Sequence, residues 1–112
     1  ETVTSFSASL LQSLGGDTEK AAEIGNMAVI DMADNANKMG SSMEAIQNAY
    51  AGFAKQNYTM LDNLKLGYGG TKEEMQRLID DANALNAAQG NMTKYSIDSY
   101  ADIVSSIHDV QT

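Results

Sequence analysis

The chain reads as an all-α protein, a compact bundle of about five helices joined by glycine-rich turns. Three observations predict this. Apolar residues recur every three or four positions in successive segments, the spacing of one helical face. Glycines stand between those segments, at Gly15-Gly16, Gly40, Gly67 to Gly70 and Gly90. Proline is absent while Ala, Met, Gln and Leu are plentiful, which favours helix over strand.

The first helix is expected over Thr4–Leu14, with Val3, Phe6, Leu10, Leu11 and Leu14 on its stripe and Gly15-Gly16 stopping it. Asp17 or Thr18 can cap the second, which should run to Met39. Ile24, Met27, Ala28, Met32 and Met39 form its main face, and Val29, Ile30, Ala33 and Ala36 widen it. A face this broad places the helix centrally or offers a surface to another chain. Gly25 inside it costs roughly 1 kcal/mol against Ala, a cost that close helix approach could offset.

Ser41-Ser42-Met43-Glu44 has capping-box spacing and opens a third helix through Met43, Ile46, Tyr50 and Phe53. Its periodicity continues less cleanly through Tyr58, Leu61 and Leu64, with a bend or end near Asn57. Leu66 to Gly70 must be a turn. Thr71-Lys72-Glu73-Glu74 is the strongest local signal, a capping box followed by Met75, Leu78, Ile79, Ala82 and Leu85 on one face. That fourth helix fades from Asn83 to Gln89, and the stretch from Ala87 to Tyr95 is expected to be mobile. Ser96 or Asp98 caps a fifth helix carrying Ile97, Tyr100, Ile103, Val104, Ile107 and Val110.

Charge bears on partners. A net charge of −8 lacks the basic footprint that nucleic acid or an anionic membrane surface would select. No apolar run reaches the ~20 residues of a spanning helix. Without Cys there is no disulfide framework, thiol nucleophile or thiolate metal site. A hydrophobic fraction of 43% allows a core, although a soft one, since much of it is Ala and seven Met fill gaps. Met27, Met32, Met39 and Met43 read as core filling, with a deformable partner surface as the other use. Residues 1–112 are taken as a single helical module, a fragment of a longer protein, because Glu1 is not preceded by a start methionine and the last stripe runs almost to Thr112.

Catalytic and ligand motifs were weighed against plain structure. Gly67-Tyr-Gly-Gly-Thr-Lys leads glycines into a helix start, but a phosphate loop needs Gly-Lys before its Ser or Thr, after a strand. It reads as a join between two helices. His108 is the sole histidine, without a second metal-type ligand, and is expected as a surface or half-buried structural residue. Asp80-Asp81, Asp31/Asp34 and Glu19/Glu23 are expected on solvated helix faces. No catalytic, cofactor or metal residue is assigned, and an enzyme is not expected.

Read as a string, Asp34-Asn-Ala-Asn-Lys-Met-Gly40, Ile46-Gln-Asn-Ala-Tyr50 and Gly52-Phe-Ala-Lys-Gln-Asn-Tyr-Thr-Met-Leu-Asp-Asn-Leu-Lys-Leu-Gly-Tyr-Gly-Gly-Thr-Lys72 resembles the phage tail tape measure proteins of Gram-positive phages and prophages. The likeness covers about Asp31 to Ala82, roughly half the chain, continues weakly through Ile103 to Gln111, and is absent between Leu85 and Asp98, where the sequence departs from the family pattern. It implies a very long, mostly helical structural protein of the virion tail, assembled in the host cytoplasm, that sets tail length and meets tail-tube, tail-tip and chaperone proteins. It implies no catalytic residues here.

A measuring segment needs extended helix, about 170 Å for this length. Glycine breaks with an apolar stripe on every helix should fold back instead. The expectation is therefore a compact docking or assembly segment of a tape measure protein, with self-association possible and with Tyr58, Lys65 and Tyr68 as its exposed docking feature. The rival readings are a generic helical adaptor or secreted effector, and an enzyme domain completed by another region.

Overall fold

Local hydrogen bonding starts the α-helices after the first where a short polar side chain can reach the free N–H groups of their first turn. The computed structural model describes residues 2–112, with side chains from Phe6 onward; Val3 of the first stripe lies outside the described side chains. The elements are α1 (Thr2–Ser13), α2 (Thr18–Met39), α3 (Met43–Ala54), a 3-10 turn (Leu61–Leu64), α4 (Lys72–Ala88) and α5 (Tyr100–Gln111). No strand occurs among the described residues.

Asp17 caps α2 by accepting from the Lys20 N–H, and Gly40 ends it in the left-handed region. At α3 the cap is Ser42, accepting from the Ala45 N–H, so the expected box ending on Glu44 is one residue out of register. Thr71 caps α4 through the Glu74 N–H as expected, but the Glu74 carboxylate reaches past the cap to the Gly69 N–H at 3.0 Å. For α5 the cap is Ser99, not Ser96 or Asp98; Asp102 reaches back from the first turn to the Ser96 N–H. The same turn is also closed from outside, where Ser13 Oγ accepts from the Ala101 N–H.

The third stripe breaks as expected near Asn57. The α3 backbone stops at Ala54, and Asn57 N–H folds back onto the Gly52 carbonyl at 2.9 Å. Gln56 is left-handed there, with φ 62°. Leu61 and Leu64 still reach the core, but from a 3-10 turn. The α4 helix does not fade at Asn83; it holds to Ala88.

Five stripes meet in one core. Phe6 stands edge-on to Tyr50 and Tyr100 at ring separations of 5.8 and 6.1 Å, and Tyr50, Phe53 and Tyr58 continue the cluster. Leu10, Met32, Ile46, Met75, Leu78, Ile79 and Ile103 fill the space around it. Of the methionine stripe, Met32 is buried, while Met27 and Met43 are half-buried against the core. The widened face of α2 is split: Ala36 packs against the core and Ala33 is half-buried, but Ile30 is 61% exposed and Val29 39%. The helix is central through one sector and open on the opposite one. Residues 2–112 have a radius of gyration of 12.9 Å and extents of 36 × 32 × 23 Å, a bundle and not a rod.

Two glycines carry opposite consequences. Gly70 presses on the backbone of Thr59, so a Cβ there would collide with the Thr59 carbonyl. Gly25 was expected to permit close helix approach, yet a Cβ there would meet only Leu10 Cδ1 at 3.8 Å, an ordinary contact. Its neighbour leaves room for a methyl group, so packing does not require the glycine. Gly70→Ala should therefore lose at least about 2 kcal/mol in urea unfolding, and Gly25→Ala should gain about 0.5–1 kcal/mol. A Gly70→Ala protein as stable as the parent would refute the close approach.

Candidate functional site

Three places gather polar chemistry: the turn before α4, a buried seam between α2 and α5, and the furrow between α4 and α5. The turn comes first because the expected docking residues lie there. Tyr58 is only 6% exposed, stacked on Phe53 at 6.3 Å, and lines a small cleft with Lys72 and Asp98. Burial raises its phenol pKa. Its apolar ring extends the Phe53 stripe across the chain break, so it belongs to the core and not to an exposed docking feature. Lys65 is exposed, adopts φ 55°, and points its ammonium at the Met39 carbonyl at 3.4 Å. It completes the C-terminal end of α2, where carbonyls and the helix dipole favour a cation.

Tyr68 is half-buried and locked on both sides. Its hydroxyl donates to Asp81 Oδ2 at 2.6 Å, and the Arg77 guanidinium lies 4.4 Å above its ring. Burial and then the Asp81 hydrogen bond push its pKa up to about 12. Arg77 also donates to the Gly67 carbonyl at 2.7 Å and pairs with Glu74 at 2.9 Å. The Arg77 bonds and the Gly69 N–H hold the Glu74 carboxyl down to about 2. The Gly69 N–H and the Gly67 carbonyl of this turn are thus met by α4 side chains, and the glycines serve the join between helices.

The second place corrects an expectation. Asp31 is not on a solvated face; it is 2% exposed. His108 Nδ1 lies 2.9 and 3.1 Å from its two oxygens, with the imidazole half-exposed above it. Gln111 Nε2 donates to the Asp31 carbonyl at 2.8 Å, and Asn35 Nδ2 donates to the Leu64 carbonyl at 2.9 Å and to Gln111 Oε1 at 3.4 Å. Burial raises the Asp31 pKa, and the His108 hydrogen bond and charge oppose that rise. The signal was present in the sequence. Asp31 and Asn35 fall three and seven residues after Ala28, inside the buried sector, as His108 and Gln111 follow Val104 by four and seven. Their residue types concealed it.

The third place was not anticipated. Leu85, expected on the core face of α4, is 44% exposed, and Asn86 is buried in its stead. Asn86 Nδ2 donates to Asp109 at 3.2 Å, and Tyr95 OH donates to the same carboxylate oxygen at 2.8 Å. Burial and Asp109 push the Tyr95 phenol up to about 12. Asn83 brackets Tyr95 by accepting from its N–H at 2.7 Å and donating to its carbonyl at 3.2 Å. The end of the loop expected to be mobile is thereby tied to α4.

Among the described residues, no three His, Asp or Glu side chains gather in metal-holding geometry. None of the described helices is long and apolar enough to cross a membrane. Compared with known families, curated protein sequences and solved structures, the chain matches none of them.

The seam makes a pH-dependent prediction. In His108→Ala the buried Asp31 carboxylate loses its partner, and its remaining influences (burial, Asp34, Asp109) all raise its pKa. A raised folded-state pKa means the penalty is full above that pKa and disappears as pH falls through it. We expect a loss of about 1–3 kcal/mol at pH 7, moderated because the pair lies just under the surface. Urea unfolding should show the loss shrinking at acid pH and part of it recovered at pH 7 by adding Asp31→Asn. A penalty constant with pH would mean that the lost packing of the ring, not the stranded charge, is responsible.

Proposed function

We propose that the chain is a compact, non-measuring docking module of a phage tail tape measure protein. In this reading it acts in tail assembly, within a protein whose overall length sets that of the tail. The observation that carries the proposal is the sequence string from Asp34 to Lys72, which resembles Gram-positive phage tape measure proteins over a length without catalytic signature. The bundle form supports the non-measuring part. A helix used as a ruler advances 1.5 Å per residue, about 170 Å for this length, whereas these residues close on a shared core with a longest extent of 36 Å.

The partners in this reading are tail-tube, tail-tip and assembly-chaperone proteins, or a second copy, in the virion tail and in the bacterial cytoplasm where tails assemble. The acidic balance, −8 in all, speaks for protein partners over nucleic acid or an anionic membrane. No chemistry is assigned to the segment: its histidine is tied to Asp31 and the carboxylates of its α4–α5 furrow accept from structural donors.

The parent reading frame tests the assignment. A frame several times longer than 112 residues, helical through most of its length, is expected. A frame close to this size would replace the reading with a self-standing helical adaptor or secreted effector. Small-angle scattering tests the module itself: a radius of gyration near ~13 Å plus a hydration layer is expected. A rod-like profile would overturn it.

A further inference from the structure

The furrow between α4 and α5 has an apolar floor and acidic lips. Met75, Leu78, Ile79 and Ala82 turn into the core, and helical phase carries that stripe on to Asn86, four residues after Ala82, leaving Leu85 at its exposed edge. Leu85 then faces a depression of about 420 Å³ bordered by Tyr68, Asp81, Ala84, Ala88 and Val110. Beyond Leu85 and Val110 a second depression of about 440 Å³ continues past Asp109. Ala84 and Ala88 keep the floor low, so the furrow lies open between the two helices.

Its charge is one-sided. Asp81 and Asp109 accept from Tyr68, Tyr95 and Asn86, neutral donors that bring no compensating charge. Arg77, the cation at that end, is occupied by Glu74 and the Tyr68 ring. From Asp81 to Ala88 the floor spans about 10 Å of helix, room for two turns of a partner.

We propose that this furrow receives an amphipathic helix of a partner protein, with two aliphatic side chains against Leu85 and Val110 and a Lys or Arg at each acidic lip. A second copy fits poorly, because pairing through this face would set the carboxylates of Asp81 and Asp109 against their own kind on a chain of net charge −8. The proposal rests on the reading of the chain as a docking module and names the chemistry of its partner.

The test is an NMR titration of the isotopically labelled chain with a synthetic helix-forming peptide carrying Leu at positions four and seven apart, flanked by Lys. A second peptide replaces each Lys with Glu. Expected are shifts at the amides of Leu85, Ala88 and Val110, an affinity falling roughly fivefold between about 0.05 and 0.3 M NaCl, and no binding of the Glu peptide. Leu85→Ser changes an exposed side chain, should keep a folded spectrum, and should weaken binding about tenfold. Four outcomes would overturn the proposal: no shifts at millimolar Lys peptide, equal binding of both peptides, shifts confined to α1 and α2, or concentration-dependent dimerisation abolished by Leu85→Ser. None of these touches the tail-protein assignment, which stands or falls with the parent reading frame.

Discussion

Everything in this bundle depends on the seating of α5. It packs against α1, α2, α3 and α4, and α4 makes its main packing contact with it. Tyr100, Ile103, Val104 and Ile107 are buried, and each such side chain contributes about 1.5–3 kcal/mol relative to exposure. That drive is non-directional and would tolerate a slid or rotated helix. Directional ties remove the freedom: Ser13 to the first turn, Tyr100 OH to the Tyr50 carbonyl at 2.9 Å, and His108 and Gln111 to Asp31 at the last turn. Three of these ties join residues at least 77 apart, so they close the chain end to end.

The seating of α5 also decides what is left outside. Asp109 faces α4 and meets the buried Asn86, while Leu85, at the edge of the buried sector, is left outside as part of the furrow's apolar floor. On α2, inward pressure goes to the sector of Ile24, Ala28, Asp31, Met32 and Asn35, so Ile30 faces solvent on the opposite side. A protein this small cannot cover every apolar position. Val29 of α2 also borders a depression, against α1, but that one is lined by no carboxylate, whereas Asp81 and Asp109 line the furrow. Specificity in protein contacts comes from that combination of shape and charge.

The stretch joining α3 to α4 combines two roles of sequence. Its glycines answer backbone demands, Gly70 against Thr59 above all, while Tyr68, Arg77 and Glu74 bind the turn to the helix that follows. The order Gly-Thr-Lys, which is wrong for a phosphate loop, suits a turn whose Gly69 N–H and Gly67 carbonyl are met by Glu74 and Arg77 of the next helix. This makes the stretch a rigid corner that aims α4 along α5.

The sequence by itself determined the helices, because helix formation is governed by local spacing and caps: α2 over Thr18–Met39, the Thr71 cap, the break before Tyr58 and the glycine stops were all legible. It also determined that these helices would fold back, since each carried a stripe that water disfavours. Only the tertiary structure decided the sites. Asp31 and His108 are polar residues on otherwise core-facing sectors, and nothing local says that they find each other across 77 residues. Tyr58 looked like surface chemistry until its ring stacked on Phe53, whereas Lys65 stays exposed with its ammonium toward the end of α2. Leu85 looked like core by its residue type, but the position that continues the buried face of α4 is Asn86, and Asp109 meets its amide there. Asp31 and Asn86 find their partners, His108 and Asp109, 77 and 23 residues away on α5, so those two pairings were settled only when α5 took its place.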